Sequence, residues 1–290
     1  MIFRYNLDMY RTTHLEPVDY LVIGHITTDL TSDGLRLGGT ASYASLTARA
    51  LGLKVGIVTS WGAELPLGDL HQIPIVNLSA EKSTTFENVP TPEGRIQIIH
   101  SVAHRLDLNL IPETWLNAPI VHLGPVAQEV EPGLIRHFPN SLIGLTPQGW
   151  MREWDSSGRV TYSEWPEATF MLGQAGAAVI SLEDIGNVEN RIEELAAYCR
   201  ILAVTEEARG SRLYWNGDVR RFPAPAIPEV DAVGAGDIFS AAFFYRLYTT
   251  RDPWEAARFA THLASLSISR PGLEGIPTPE EVSESLFEIQ

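Results

Sequence analysis

Two kinds of hydrophobic pattern alternate along the chain. Short apolar runs such as Tyr20–Ile26 (YLVIGHI) and Val55–Ser60 read as buried parallel strands. Similar runs predict strands at 119–123, 142–145, 177–181 and 200–205. Between them apolar residues recur at helical spacing, around 129–137, 165–172 and 187–198. Near the N-terminus Ala41, Ala44, Ala48 and Leu51 mark a helix that Thr40 or Ser42 can cap and Gly52 ends. Strands alternating with helices predict βαβ units: an α/β architecture of three layers, with a mostly parallel sheet covered on both faces.

Other stretches break that alternation. Ser83–His100 reads as a hairpin whose turn holds Pro90, Pro92 and Gly94, and Asn216-Gly217 sits between two strand-like flanks as a tight hairpin turn. Asp33-Gly34 is a further turn signal. Asp252-Pro253-Trp254-Glu255 and Thr278-Pro279-Glu280-Glu281 look like capping boxes with Pro at the first helical position, and the first helix is expected to reach about Ser269.

The stretch with the most chemistry is Asp231–Leu247, DAVGAGDIFSAAFFYRL. Gly234, Ala235 and Gly236 are small, Asp237 is acidic, and the rest is an apolar run without Gly or Pro, expected to be a buried helix. The first turn of a helix has unpaired N–H groups and the positive end of the dipole, so an anion such as a phosphate can sit there. Asp237 is then either a helix-start charge or a base facing the bound anion.

DAVGAGD resembles the DTxGAGD signature of the ribokinase-like (PfkB) carbohydrate kinases, with Ala232 where Thr is usual. The family's other signature, a Gly pair leading into a helix, is similar to Gly38–Gly52, GGTASYASLTARALG. The resemblance runs from about Tyr20 to Pro277. It implies a ribokinase-like fold with a small β-lid at about 29–37 and 83–104, shorter than in many relatives, after an extension over 1–19. It implies transfer of a phosphoryl group from ATP to a hydroxyl of a sugar or polyol, with Mg²⁺ and, in some members, a monovalent cation. Asp237 would be the base, with the amides after Gly234, at Ala235, Gly236 and Asp237, as the anion hole. Asp29, Gly38 and Gly39 would hold the acceptor together with Tyr43, which replaces the usual Asn. Thr146-Pro147-Gln148-Gly149 resembles a segment of inositol-kinase-like members, which makes Gln148 and the nearby Arg152 acceptor candidates.

Ser181-Leu182-Glu183-Asp184 stands where the family has NxxE, which makes Asp184 the candidate Mg²⁺ residue, through water; a helix cap is the competing reading. Thr205, Glu207 and Gly210 occupy the nucleotide loop, with Glu207 where Gly is common, and Thr261 matches a nucleotide-contacting Asn. Two alternatives stay open: a nucleoside kinase, with Tyr43 stacking on a base, and a silent binder of polyol or nucleotide.

Composition narrows the partners. A net charge of −15 over 290 residues argues against nucleic acid and anionic membranes. One cysteine, Cys199, excludes an internal disulfide and suits the reducing cytoplasm. No apolar stretch is long enough to span a bilayer. There is no GxxxxGK[ST] or GxSxG motif, and His100 and His104 lack a further ligand cluster for zinc. The expected small-molecule partner is a sugar or polyol, bound by a monomer or homodimer.

Overall fold

The computed structural model describes residues 15–287 except Asp33, Ala63, Leu65, Pro92 and Glu93. Residues 1–14 of the expected extension, Asp33 of the first turn and Pro92 of the hairpin turn therefore lie outside the described residues. In chain order the elements are β1 (Tyr20–Ile23), β2 (Thr27–Thr31), β3 (Gly34–Gly38), α1 (Thr40–Ala50), β4 (Val55–Trp61), β5 (Ile75–Ser79), β6 (Thr84–Thr91), β7 (Gly94–Ser101), β8 (Ile120–Leu123), β9 (Leu142–Leu145), β10 (Arg152–Trp154), β11 (Val160–Tyr162), α2 (Ala168–Gln174), β12 (Ala177–Ser181), α3 (Glu189–Ala196), β13 (Ile201–Thr205), β14 (Ser211–Trp215), β15 (Asp218–Phe222), α4 (Ala235–Thr250), α5 (Pro253–Ser267) and α6 (Pro279–Phe287).

Nine strands form the main sheet in the order β15-β14-β13-β12-β9-β8-β1-β4-β5. The seven from β13 to β5 are parallel, and the β14–β15 hairpin is added antiparallel at one edge. Asn216 and Gly217 both have positive φ at its turn, as a two-residue hairpin needs. Alternate residues of each strand face opposite sides. Tyr20, Val22, Ile120, Val179 and Ala203 pack with α1, α4 and α5, while Leu21, Ile23, Val121, Ile180 and Val204 pack with α2, Trp115, Trp150 and Trp165. Both faces are buried, which is why the parallel strands read as unbroken apolar runs.

Strand order reverses at β1: β4 and β5 extend to one side, β8 and its successors to the other. In open α/β sheets the ligand crevice lies at such a split, beyond the carboxyl ends of the strands. Here Gly24 and Gly124, the residues after β1 and β8, meet backbone to backbone, and a Cβ on Gly24 would overlap the Gly124 carbonyl.

A second sheet, β3-β2-β6-β7, stands over this split. It begins where the apolar run Tyr20–Ile26 leaves the main sheet, three residues before that run ends. The reason is side-chain capture of the backbone: Glu129 accepts the His25 amide (3.0 Å) and Thr59 Oγ1 the Ile26 amide (2.9 Å). Phe86 and Ile99 of the lid bury themselves against Val126 and Ala127, with Trp154 and Val160 of the β10–β11 hairpin alongside.

Helix 129–137 is absent as such; only a 3-10 segment, Pro132–His137, forms there. Pro132-Gly133 breaks the pattern, and the Glu129 carboxylate is taken by the amides of His25, Val126 and Ala127. Helix α2 starts three residues after the expected 165, beyond Pro166. Thr278 and Glu281 exchange backbone and side-chain hydrogen bonds as a full capping box. At Asp252 only half of one forms, because Glu255 turns to Arg246 and Arg258.

Helix α4 sits on the sheet through Phe244, whose ring covers Gly144 of β9; a Cβ there would come within 2.5 Å of it. Gly144→Ala is therefore expected to destabilise the protein by about 1–3 kcal/mol in urea unfolding. Unchanged stability would show that the ring does not rest there.

Candidate active site

Two helices start at the split, each led by a left-handed glycine: Gly39 before α1 (φ 83°) and Gly234 before α4 (φ 81°). Only glycine takes this backbone readily. At Gly234 it is also the only residue that fits, because the Tyr43 ring of α1 lies across its Cα, where any Cβ would overlap the ring. The loop before Gly234 is tied down by Asp231, whose carboxylate accepts the amides of Val233 and Gly272, each at 2.9 Å. The amides of Val230 and Asp231 donate to the Ile268 carbonyl at the end of α5.

Beyond Gly234 the α4 mouth is open, with nothing within 4 Å of where a Cβ on Gly236 would stand. The amides of Gly236 and Asp237 have no backbone acceptor among the described residues. The Ala235 amide donates to the Ala232 carbonyl at 3.2 Å. The cradle is thus narrower than the sequence implied, because Ala235 is drawn into the entering turn.

Asp237 is half-buried at this mouth. Burial, first of all, pushes its carboxyl up to about 6, and the negative charges of Asp184 and Asp29 push the same way. A hydrogen bond from the Thr40 hydroxyl and the charge of Arg152 oppose them. Asp29, Arg152, Asp184 and Asp237 therefore share one electrostatic neighbourhood. Thr40 was expected as a helix cap; instead α1 has Gly39 as its N-cap with no side-chain bond, and the Ser42 hydroxyl donates to the Gly38 carbonyl. The role of Thr40 was missed, although its place directly after the Gly pair, at the mouth of the same cleft, was a signal.

On the acceptor side, Asp29 lies in β2 opposite Arg36 of β3. Gly38 is bare because the Asp29 carboxylate lies against it, where a Cβ would overlap. Gly39 likewise has the His25 carbonyl and the Thr27 side chain against it. Tyr43 is only 2% exposed, so it offers no face on which a base could stack. Its phenol is raised well above the usual range, first by burial and then by the charges of Asp29, Asp237 and Asp231. Tyr43 thus corrects the sequence expectation: it is a wedge between α1 and α4.

Gln148 donates to Asp184 Oδ1 at 2.7 Å, joining an acceptor candidate to the metal candidate. Asp184 Oδ2 accepts the Ser181 amide (2.8 Å), and the Ser181 hydroxyl accepts the Asp184 amide (3.0 Å). This exchange closes a 3-10 turn, Glu183–Ile185, and does not cap the following helix, which begins at Glu189. No group of three or more metal-ligating side chains exists among the described residues. A lone carboxylate with spare lone pairs does suit Mg²⁺, which keeps its waters and binds through one or two carboxylates plus substrate phosphates. Arg152 donates to the Val126 carbonyl (3.2 Å) and lies over the Phe86 ring of the lid.

In the loop expected to hold the nucleotide, Glu207 has φ 53°, so this position, where the resemblance led us to expect Gly, is left-handed. Gly210 (φ 90°) has no room for a Cβ beside the Phe222 carbonyl. Thr205 Oγ1 donates to the Ile180 carbonyl at 3.4 Å. Thr261 does not face the loop freely: it is buried, with its hydroxyl on the Ala257 carbonyl (2.8 Å) and Ser211 Oγ (2.7 Å).

Residues 164–280 match the family model described as pfkB family carbohydrate kinase. Over 253 residues, 78% of this chain and 87% of the relative, the sequence is 25% identical to a cytidine kinase of Thermococcus kodakarensis. Over 95 residues, 32% of each protein, it is 40% identical to the ribokinase of Bacillus subtilis strain 168. The chain thus matches the PfkB carbohydrate kinases over residues 164–280 and has the ribokinase fold. Its fold is similar to a pyrophosphate-dependent kinase in the ribokinase family, solved with a pyrophosphate analog and myo-inositol, at a TM-score of 0.76, 19% identity and coverage of 91% of this chain and 99% of that one. By these matches the protein is a phosphotransferase with an alcohol acceptor, a sugar or nucleoside kinase. Among the described residues no helix is long and apolar enough to cross a membrane.

The raised carboxyl of this kinase has a consequence for stability. From pH 3.8 to about 6 the folded protein holds a proton on Asp237 that the unfolded chain has lost, so stability falls as pH rises through that window. At neutral pH the ionised carboxylate is a net cost. Asp237→Asn is expected to be more stable than the parent at pH 7, by on the order of 1 kcal/mol once solvent screening is allowed for. The difference should vanish below about pH 4. Equal stability at pH 7 would contradict the burial of that charge.

Proposed function

We propose that this kinase transfers the γ-phosphoryl group of ATP to one hydroxyl of a polyhydroxy acceptor of the sugar or inositol class. The observation that carries this reading is the placement of Asp237: a carboxylate poised near pH 6 beside the open amides of Gly236 and Asp237, sharing its neighbourhood with Asp29. A base for the alcohol and a cradle for the charge of the phosphoryl group are the two things the reaction needs.

The acceptor binds at the Gly38–Gly39 corner, where the absence of a side chain on Gly38 lets the Asp29 carboxylate lie close against the backbone and accept from the acceptor's hydroxyls. Asp237 takes the proton of the hydroxyl that attacks. The new O–P bond forms as the bond to the leaving diphosphate breaks, giving ADP and a phosphate monoester. The amides of Gly236 and Asp237 receive the negative charge on the transferring group, where each such donor is worth about 2.7–4 kcal/mol. Mg²⁺, held by Asp184 through water, would neutralise phosphate charge. Arg152, held between the Val126 carbonyl and the lid ring of Phe86, brings a positive charge to the acceptor side. Burial of Tyr43 removes its stacking face and so favours a polyol over a nucleoside acceptor.

Two tests apply. The first is ATP and pyrophosphate consumption against myo-inositol, ribose and cytidine; a polyol that stabilises the fold without any turnover would favour the silent binder. The second is Asp237→Asn, expected to lose at least about a hundredfold in turnover while retaining nucleotide binding. In the parent protein kcat/KM should fall about tenfold per pH unit below about pH 6, as the base becomes protonated. Turnover near the parental rate in that variant would remove Asp237 from its role.

A further inference from the structure

Three polar side chains lie side by side within the apolar layer between the sheet and α4. Tyr20 in β1, His122 in β8 and Thr146, one residue past β9, come from three neighbouring strands. Tyr20 and His122 are fully buried, and Thr146 is 8% exposed. The Tyr20 hydroxyl lies 3.1 Å from His122 Nδ1, and His122 Nε2 lies 2.9 Å from Thr146 Oγ1. The ring of Phe244 closes on the imidazole edge-on, centroids 5.0 Å apart. Buried polar groups are costly unless each donor is satisfied.

Donor accounting fixes the direction of this chain. Burial drives the imidazole down to about 3, so the ring is neutral and has one donor and one acceptor nitrogen. Burial, and then the charge of Asp237, keep the Tyr20 phenol protonated. A proton on Nδ1 would leave the phenol O–H without an acceptor among the described residues. With the proton on Nε2, Tyr20 donates to Nδ1, Nε2 donates to Thr146, and each buried donor is used. The proton left over is that of the Thr146 hydroxyl, on the least buried member of the chain. Thr146 Oγ1 stands 3.2 Å from where a Cβ on Gly124 would be, and the Thr40 methyl group lies against the same point. Thr40 in turn follows the Gly38–Gly39 corner and holds Asp237.

We propose that His122 is a positioning residue that fixes the Thr146 hydroxyl as a hydrogen-bond donor to an oxygen of the acceptor substrate, bound between Gly39 and Asp237. The proposal rests on the kinase reading above. A donor set in place by a buried network recognises a polyhydroxy acceptor and rejects an analogue lacking that oxygen.

The test joins kinetics to the imidazole tautomer. With whichever of myo-inositol, ribose and cytidine is phosphorylated, Thr146→Val and His122→Leu should raise the acceptor KM about tenfold, with the donor KM unchanged. Thr146→Ser, and His122→Gln, whose amide can accept from Tyr20 and donate to Thr146, should restore the parental KM. NMR of the ¹⁵N-histidine-labelled intact protein should find His122 protonated at Nε2 and not titrating between about pH 5 and 8. A parental acceptor KM in folded Thr146→Val, lost stability without a KM change in His122→Leu, or a proton on Nδ1 would overturn the proposal. Failure to phosphorylate any of the three acceptors sinks the kinase reading and the acceptor role together. The tautomer would still report separately on the oriented chain.

Discussion

The contact between the Tyr43 ring and the bare Cα of Gly234 sets the geometry on which the site depends. It exists because Gly234 can hold a left-handed backbone and has no side chain to collide with the ring. Through it α1 and α4 are locked at their starts. One follows the Gly38–Gly39 corner, the proposed acceptor site, and the other opens with the amides proposed as the phosphoryl cradle. Neither half of the site is then free to drift from the other, and in-line transfer needs that fixed spacing. Thr40 adds a second tie, from the first turn of α1 to the carboxylate at the first turn of α4.

A site built this way stores electrostatic cost. Asp29, Asp184, Asp231 and Asp237 converge on one crevice in a chain already strongly acidic. Burial first, and then the like charges of Asp184 and Asp29, disfavour ionisation and raise Asp237 toward the working range of a base. The positive groups are arranged so as not to cancel the effect. Arg36 faces Asp29 across the lid strands, and Arg152 lies over the Phe86 ring, with one guanidinium nitrogen on the Val126 carbonyl. Stability is given up at Asp237, and the apolar packing of α4 on the sheet makes it good elsewhere.

Much of the fold was legible because the strands are buried on both faces and their apolar runs are uninterrupted. Helix α4 was legible for the same reason, and the small residues before an acid at its mouth are what singled out Asp237 as a candidate. What stayed hidden was decided by partners distant in sequence. Glu129 looked like part of a helix, yet its carboxylate gathers three amides from two loops. Thr40 looked like a cap because a capping hydroxyl and one that holds a carboxylate are the same residue in a sequence. Tyr43 suggested a stacking platform, and only the position of Gly234 shows the ring to be enclosed. Glu207 carries a backbone angle that its side chain gives no hint of.

The lid joins the core through one buried junction. His25 Nδ1 and Nε2 reach Thr84 Oγ1 (2.7 Å) and the His104 carbonyl (2.8 Å), so the imidazole spans both ends of the β6–β7 hairpin. The amide of the same residue is held by Glu129, which also fixes the loop carrying Val126. Val126 in turn supplies both the apolar seat for Phe86 and the carbonyl for Arg152. A displacement of the lid would therefore move the Arg152 charge relative to Asp237. On the proposed reading, the acceptor cover and the poise of the base are two outcomes of one packed junction, so a substitution at His25 or Glu129 would act on the chemistry without touching the substrate.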